Sequence, residues 1–371
     1  MTEVRTVSSA QSGEPARHRS DPKAVLVAAM AAAARAGWSA AEPDDGQGDE
    51  EIHVRKRRID GQATAAAESI LKGFTERLVI VAGEGPGEQM PGALLGQEFG
   101  AGGGRTWSGV FDYVDGTTLT ALGLPGALSL GGLGVGLRAV PDLQAYAVLA
   151  PISIASRLDI STPPEEHALE LVDLIGAQYG RGLGDVRVVT HSRDTGPFHQ
   201  TLIDRLREGG VGDVIVPDPV IIEPPYVLAR AGVVKPAIDT MIGVFGFPEL
   251  MFACLLLELI APQFTFVFRP ASLSGLRSDA ATLAPLFDFD DEEIEQLAGV
   301  GLEPHKQFVG SHLVPAGTGR AAAMFSVTGC APLRLRPPSR HGRGVSVEGL
   351  LVERGGMTRL RVTSDQPLDA V

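Results

Sequence analysis

Residues 111–120 read FDYVDGTTLT, and this stretch joins the end of an apolar strand to a turn and the start of a helix. It carries two carboxylates, Asp112 and Asp115, followed by Gly116 and the hydroxyl of Thr117. Hard divalent cations prefer several converging carboxylate oxygens, and N–H groups at a helix start bind phosphate oxygens. The stretch predicts a turn that holds a metal ion and a phosphate, although ordinary Asp-Gly turns also follow strands.

The charge balance of the whole chain restricts its partners. The 371 residues carry 45 acidic and 32 basic side chains, which gives a formal net charge of −13. The long-range field of such a chain repels nucleic acid and anionic membranes, so we expect neither as a partner. An acidic protein that handles an anionic substrate needs cations in its site, and this again indicates metal ions.

Cysteine content and the N-terminus indicate the cytoplasm. Cys254 and Cys330 are the only cysteines, which is too few for a disulfide framework, and they show no zinc spacing. The segment 1–21 is polar and lacks the apolar region of a secretory signal. The most apolar stretch, residues 121–137, is interrupted by glycines and a proline and is predicted to form buried strands and turns. We therefore expect a cytoplasmic protein.

Strand and helix patterns alternate along most of the chain, which is typical of a layered α/β fold. Residues 1–22 are polar and aperiodic and are predicted to be a disordered tail. A helix at 166–178 is expected behind a Thr162-x-x-Glu165 capping pattern. The other predicted helices cover 24–36, 64–74, 199–207, 250–260 and a segment opened by 290–293. The predicted strands cover 78–82, 109–114, 128–137, 144–149, 186–190, 214–216, 264–268, 321–327 and 345–362.

Five segments stand in the order in which one known family has them. Residues 112–117, DYVDGT, match the pattern Asp-x-(Val/Ile)-(Asp/Glu)-Gly-Thr of the lithium-sensitive, metal-dependent sugar and inositol phosphatases. The other segments are KRRIDG at 56–61, GEGPGEQMP at 83–91, GFPE at 246–249 and FSVTG at 325–329. Over residues 23–365 the chain thus resembles the class II fructose-bisphosphatases. Inositol monophosphatases carry a late Trp-Asp pair instead, and neither Trp38 nor Trp107 is followed by Asp.

The resemblance implies a fold and an assembly. The fold is the layered α-β-α-β-α sandwich of the sugar phosphatases, in which two lobes share an active-site cleft. We place a metal-binding lobe at 23–160 and a substrate lobe at 161–365. The implied partner is a small-molecule sugar phosphate, and because family members form dimers or tetramers, a homodimer or homotetramer is expected.

The resemblance also implies a metal site. Carried over residue by residue, its ligands are Asp60, Glu84, Asp112, Asp115 and Glu249. Asp115 stands where the family usually has the longer Glu. Carboxylates gathered in one cleft raise each other's pKa, so cations must accompany them. Two or more Mg²⁺ or Mn²⁺ ions per active site are therefore expected.

The implied reaction is metal-assisted hydrolysis of a phosphomonoester, with the attacking water activated near Glu84 and Asp60. Thr117 would position that water or a phosphate oxygen. Lys56 would add positive charge at the phosphoryl group, or it is one member of a solvated basic run. The implied substrate-binding residues are Asp115, Gly116, Thr117, Arg193, Asp218 and Gly246. Arg193 is the candidate for a distal phosphate, and it also fits an ordinary surface arginine.

Positions that hold the sugar in the family differ in this chain. The family's Asp-Gly-Asp is replaced by DPV at 218–220, which loses one carboxylate. A substrate-contacting tyrosine falls near Leu143, with Tyr146 close by but out of register, and Phe247 and Leu250 replace small residues. Losing paired polar groups removes specificity for that sugar, so an altered substrate pocket is predicted. Two alternatives stay open: a phosphatase for an unusual sugar or cyclitol phosphate in specialised metabolism, and a catalytically idle paralogue with a binding or regulatory role.

Overall fold

The computed structural model describes residues 4–8, 21–42, 51–84, 92–192, 197–276, 284–342 and 344–364. The described helices are α1 Pro22–Ala41, α2 Ile52–Leu71, α3 Thr117–Ala121, α4 Pro164–Ala177, α5 Pro197–Glu208, α6 Glu223–Arg230, α7 Phe247–Ile260, α8 Leu273–Leu276, α9 Asp291–Gly299 and α10 Gly310–Leu313. The described strands are β1 Val4–Ser8, β2 Glu76–Gly83, β3 Glu98–Phe99, β4 Gly103–Asp115, β5 Leu128–Gly134, β6 Gln144–Pro151, β7 Arg187–Val189, β8 Asp213–Ile215, β9 Thr240–Gly246, β10 Phe264–Ala271, β11 Phe308–Val309, β12 Ala321–Ser326, β13 Ser339–His341, β14 Gly344–Glu353 and β15 Gly356–Ser364.

The chain divides into two compact units, one formed by Met1–Leu137 with Ala316–Val371 and the other by Arg138–Pro315. This division differs from the boundary expected at residue 160. The C-terminal segment belongs to the first unit because β12 pairs with β5, with Met324 opposite Leu130. Each unit contains a mixed sheet with helices. The predicted α/β fold is confirmed.

The sheet of the first unit, as far as the structure describes it, has nine strands in the order β1-β15-β14-β12-β5-β4-β2-β3, with β13 beside β14. Strand β4 lies inside this sheet, parallel to β2 and antiparallel to β5. Helices α1 and α2 pack against each other, and α1 also packs on β5 and β12. The middle of β4 is therefore held between two strands, and its end, from Asp112 to Asp115, pairs with β5.

Helix α1 is long and apolar enough to cross a membrane by length and composition. More than half of it is buried inside the structure, with fully buried residues such as Leu26 and Met30. Burial of this kind is that of a core helix, and it does not indicate a membrane protein.

In the second unit the described strands form a sheet in the order β11-β10-β6-β9-β7-β8. Strand β6 is antiparallel to both β10 and β9, whereas β7 is parallel to β8 and β9. A buried cluster of Tyr146, Phe198, Leu202 and Ile242 forms part of the core on this sheet. Helix α7 follows β9 without a loop, so its first turn lies directly at the end of that strand.

Two helical predictions are wrong in detail. Helix α2 begins at Ile52 and not near Thr64, because Ile59, Ala63 and Ala67 continue one buried face through the basic run. The Thr162 capping pattern is absent: Pro163 is the N-cap of α4 without a side-chain cap, and Thr162 Oγ1 lies 3.1 Å from His167 Nδ1 instead.

Among the described elements that the sequence did not predict are β9, a strand inside the second sheet, and the short β3, β11, β13, α8 and α10. Two others lie where the sequence indicated tail or loop. Residues 4–8, within the predicted disordered tail, form β1 and pair in parallel with β15. Helix α6 contains Pro224 and Pro225 in its first turn, and such a proline pair resembles a loop in the sequence although proline is accepted at helix starts.

Candidate active site

A bulge at the end of β4 brings two predicted ligands to one side of the sheet. Asp112 is opposite Leu130 and Asp115 is opposite Leu128, so β4 has one more residue than β5 between these pairs. Directly opposed residues share a face, and residues two apart on β5 also share a face. Asp112 and Asp115 therefore lie on the same face, whereas a regular strand would have separated them.

The turn after β4 depends on glycine and on the Asp112 carboxylate. Gly116 has φ 89°, in the left-handed region that favours glycine, and it is the N-cap of α3. The Val114 N–H donates to Asp112 Oδ1 at 3.0 Å. Asp112 and Asp115 are both buried. The local backbone therefore fixes the direction of the first carboxylate.

The hydroxyl of Thr117 joins this turn to helix α2. Thr117 Oγ1 lies 2.6 Å from Asp60 Oδ1 and 2.9 Å from the Val114 carbonyl oxygen, and both Thr117 and Asp60 are buried. A hydroxyl has one proton, so it donates to one of these acceptors at a time. The structure thus brings Asp60, Thr117 and the end of β4 together.

Lys56 and Glu84 lie on elements that belong to or border this cluster. Lys56 stands four residues before Asp60 on α2, so both share one helix face. Glu84 directly follows β2, the strand beside β4, and its side chain is exposed. The rest of the matching motif, including Glu88 and residues 85–91, lies outside the described residues.

In the second unit Glu249 occupies the third position of α7. Its Oε2 atom is buried and has no hydrogen-bond partner in the described parts of the chain. Burial raises the pKa of Glu249 to about 7; its own backbone N–H opposes the shift, and the charge of Asp142 adds to it. Gly246, the N-cap of α7, touches this carboxylate closely, because a Cβ there would lie 2.9 Å from the Glu249 carboxyl carbon.

Glu223, which the sequence analysis missed, lies near Glu249. It is the first residue of α6 and is 5% exposed, and no described residue forms a hydrogen bond with its buried Oε2 atom. Burial raises the pKa of Glu223 to about 8, and the charge of Glu249 adds to the shift. A glutamate followed by two prolines is a helix-start signal, which could have identified the element but not the site.

The remaining positions considered for the substrate pocket have different environments. Asp218 is exposed after β8, and Arg193 lies outside the described residues. Tyr146 is fully buried with its hydroxyl 3.1 Å from His167 Nε2, so it belongs to the core. Phe247 is also fully buried and packs edge-on against Phe268 at 6.0 Å. Its bulk fills the core, and it is not available to reshape a substrate pocket.

The donor chemistry fits divalent cations only in part. Among the described residues, no three acidic, histidine or cysteine side chains are close enough to hold one metal ion. Buried carboxylates on one face of β4, and the buried Oε2 of Glu249, are nevertheless the hard oxygen donors that Mg²⁺ and Mn²⁺ prefer. These residues therefore fit as contributors to metal binding.

Without metal, the two glutamates should make the protein less stable at alkaline pH. The folded-state pKa values of Glu223 and Glu249, about 8 and about 7, exceed the ordinary 4.5. Their contribution to the free energy of unfolding is fully present below pH 4.5, and it is lost as the pH rises through the two folded-state pKa values. Burial lowers the pKa of His167, His191 and His199 below 6.5, so these histidines cost stability only as pH falls below 6.5.

The test is therefore cleanest between pH 6.5 and about 8, where these histidines stay neutral. In a chelating buffer we expect the Tm to fall by roughly 3–6 °C across this range. The decline should be smaller in Glu249→Gln, which cannot ionise. Scanning calorimetry of the unmodified protein and of Glu249→Gln measures the two declines in Tm. Equal declines of Tm with pH would contradict the raised pKa of Glu249.

Comparison with known proteins identifies the family. Residues 24–365 match the family described as bacterial fructose-1,6-bisphosphatase, glpX-encoded. The chain is 24% identical over 323 residues to fructose-1,6-bisphosphatase class 2 of Haemophilus influenzae, covering 85% of this chain and 89% of that enzyme. It is 27% identical over 188 residues to fructose-1,6-bisphosphatase 2 class 2 of Escherichia coli, covering 50% of this chain and 53% of that enzyme.

The second Escherichia coli enzyme, fructose-1,6-bisphosphatase 1 class 2, is 26% identical over 199 residues, covering 52% of this chain and 55% of that enzyme. These identities are low, as expected for a divergent member. The match nevertheless spans nearly the whole chain, in agreement with the motif order in the sequence. The chain belongs to the glpX-encoded bacterial fructose-1,6-bisphosphatase family, and it is a phosphoric monoester hydrolase that acts in the manner of these sugar phosphatases.

Proposed function

We propose that the protein is a metal-dependent phosphatase for a sugar phosphate whose sugar end differs from that of fructose bisphosphate. The proposal assigns metal binding to Asp60, Glu84, Asp112 and Asp115 in the first unit and to Glu249 in the second. One observation supports it most: the bulged end of β4 holds Asp112 and Asp115 on one face while Thr117 bonds to Asp60. Buried carboxylates gathered in this way cost free energy unless a cation neutralises part of their charge.

Members of this family generally use divalent metal ions, and a bound Mg²⁺ or Mn²⁺ supplies Lewis acidity and a more acidic water. The side chains of this chain would orient the reactants. Thr117 holds one Asp60 oxygen at 2.6 Å and can turn its hydroxyl toward a water or phosphate oxygen. Lys56, on the helix face of Asp60, would offset phosphoryl charge. Gly116 has no side chain, so a phosphate could approach the backbone closely at this position.

Two positions support a substrate other than fructose bisphosphate. Val220 replaces the second carboxylate of the family's Asp-Gly-Asp, and Leu143, at the position of a substrate-contacting tyrosine, is buried. A site that lacks these polar groups gains no specificity from the matching sugar hydroxyls. Phe247 does not add to this argument, because its ring lies in the core. A related or unusual sugar phosphate, or a cyclitol phosphate, therefore suits the site better.

The test is phosphate release from a panel of sugar and cyclitol mono- and bisphosphates, with Mg²⁺, with Mn²⁺ and after chelation. We expect turnover that needs metal and favours a compound other than fructose 1,6-bisphosphate by tenfold or more. A strong preference for fructose 1,6-bisphosphate would remove the altered-pocket proposal. No turnover of any compound, with metal bound, would favour the idle paralogue. Size-exclusion chromatography with light scattering tests the expected homodimer or homotetramer.

A further inference from the structure

Two carboxylates stand at the start of two packed helices in the second unit. Glu223 is the first residue of α6 and Glu249 the third residue of α7, and α6 and α7 are in contact. The charge of Glu249 raises the pKa of Glu223, so the two carboxylates lie within electrostatic reach of each other. No motif of the sequence analysis includes Glu223.

The helix starts provide almost no donors to these carboxylates. Positions two and three of α6 are Pro224 and Pro225, which have no N–H, so the N–H that serves Glu223 is its own. In α7 the second residue is Pro248, and the Phe247 N–H donates to the Leu143 carbonyl oxygen at 3.0 Å. The usual N-terminal stabilisation of an acidic side chain is therefore largely missing at both helices.

Each carboxylate consequently keeps one oxygen that the fold leaves without a donor. Oε2 of Glu223 and Oε2 of Glu249 are both buried, and neither has a hydrogen-bond partner among the described residues. Within the part of the chain that the structure describes, no positive side chain is among the groups that act on either carboxylate, whereas Asp142 adds a further negative charge at Glu249. Burying such oxygens is costly unless a proton or a cation joins them.

We propose that Glu223 and Glu249 together bind one divalent cation in the second unit, with Glu223 as an additional metal ligand. The inference rests on the proposed function, which assigns Glu249 to metal binding. Mg²⁺ commonly takes one or two carboxylates and completes its shell with waters and substrate phosphate oxygens. A pair of carboxylates is therefore sufficient, although the described residues contain no acidic cluster of three. Glu223 also restores a carboxylate three residues after Val220, where the family's second aspartate is lost.

The experiment is a Mn²⁺ titration of the metal-stripped full chain, followed by calorimetry and by electron paramagnetic resonance of free Mn²⁺. In Glu223→Gln we expect one Mn²⁺ to bind about 10–100-fold more weakly than in the unmodified protein. Glu223→Asp should regain part of that affinity. The matched control is Glu170→Gln, an exposed glutamate of α4 in the same unit, which should leave every affinity unchanged.

Folding is checked in the same samples. Above about pH 8, where Glu223 is ionised in the folded metal-free protein, Glu223→Gln should unfold at the same or a higher temperature than the unmodified protein, because a like charge is removed from beside Glu249. If Glu249→Gln weakens Mn²⁺ binding and Glu223→Gln does not, the inference is overturned while the proposed function stands. If the unmodified protein binds no Mn²⁺, both fail together.

Discussion

Asp112→Asn is expected to lower metal-dependent phosphate release by about 10³-fold, which corresponds to the few kcal/mol that a metal site contributes to the transition state. Asparagine keeps an oxygen that can accept from the Val114 N–H, now 3.0 Å from Asp112 Oδ1. The turn after β4 should therefore persist while one negative charge is lost. Steady-state kinetics at saturating Mg²⁺ or Mn²⁺, with the preferred substrate of the panel, gives the comparison.

The control for this variant is Asp173→Asn. Asp173 is exposed on α4, so the same chemical change there should leave kcat and KM within twofold of the unmodified protein. Far-UV circular dichroism and Tm of both variants should match the unmodified protein within about 2 °C. Equal activity of Asp112→Asn and Asp173→Asn would remove Asp112 from the catalytic machinery and the β4 turn from the active site.

Local patterns predicted most of the strands because their signals are short and apolar. The predicted strand at 264–268 lies within β10, and the predicted strand at 109–114 lies within β4. Pairing over long distances in the chain could not be predicted in this way. The return of β12 to β5 depends on sheet register, and periodicity within one segment contains no information about the strand beside it.

The candidate site was predictable where it follows a strand and unpredictable where it depends on packing. Asp112, Asp115 and Thr117 stand in one short motif, so the sequence already contained their proximity. The hydrogen bond between Thr117 and Asp60 depends on a helix α2 that begins at Ile52. The sequence pattern does not show this helix start, because residues 55–58 are all charged. Glu223 could not be found at all, because only the packing of α6 on α7 brings it to Glu249.

Gly246→Ala is expected to lower kcat by about 10²-fold, because a methyl group at this position would displace the Glu249 carboxylate. A Cβ on Gly246 would overlap Glu249 Oε2 and lie 2.9 Å from the carboxyl carbon. Gly246 has φ −60° and ψ 145°, which alanine adopts without strain. The overlap involves the end of a flexible side chain, so Glu249 should move while the backbone stays in place.

Gly182→Ala is the matched control in the same unit. Gly182 also has an ordinary φ, of −79°, and a Cβ there would meet nothing within 4 Å. We expect this variant to keep full activity and full Mn²⁺ affinity, whereas Gly246→Ala should lose both at an unchanged Tm. A fall in Tm of more than about 5 °C in Gly246→Ala would point to damaged folding instead. Full activity of Gly246→Ala would mean that the position of the Glu249 carboxylate does not matter for catalysis, and Glu249 would then lose its place among the metal ligands.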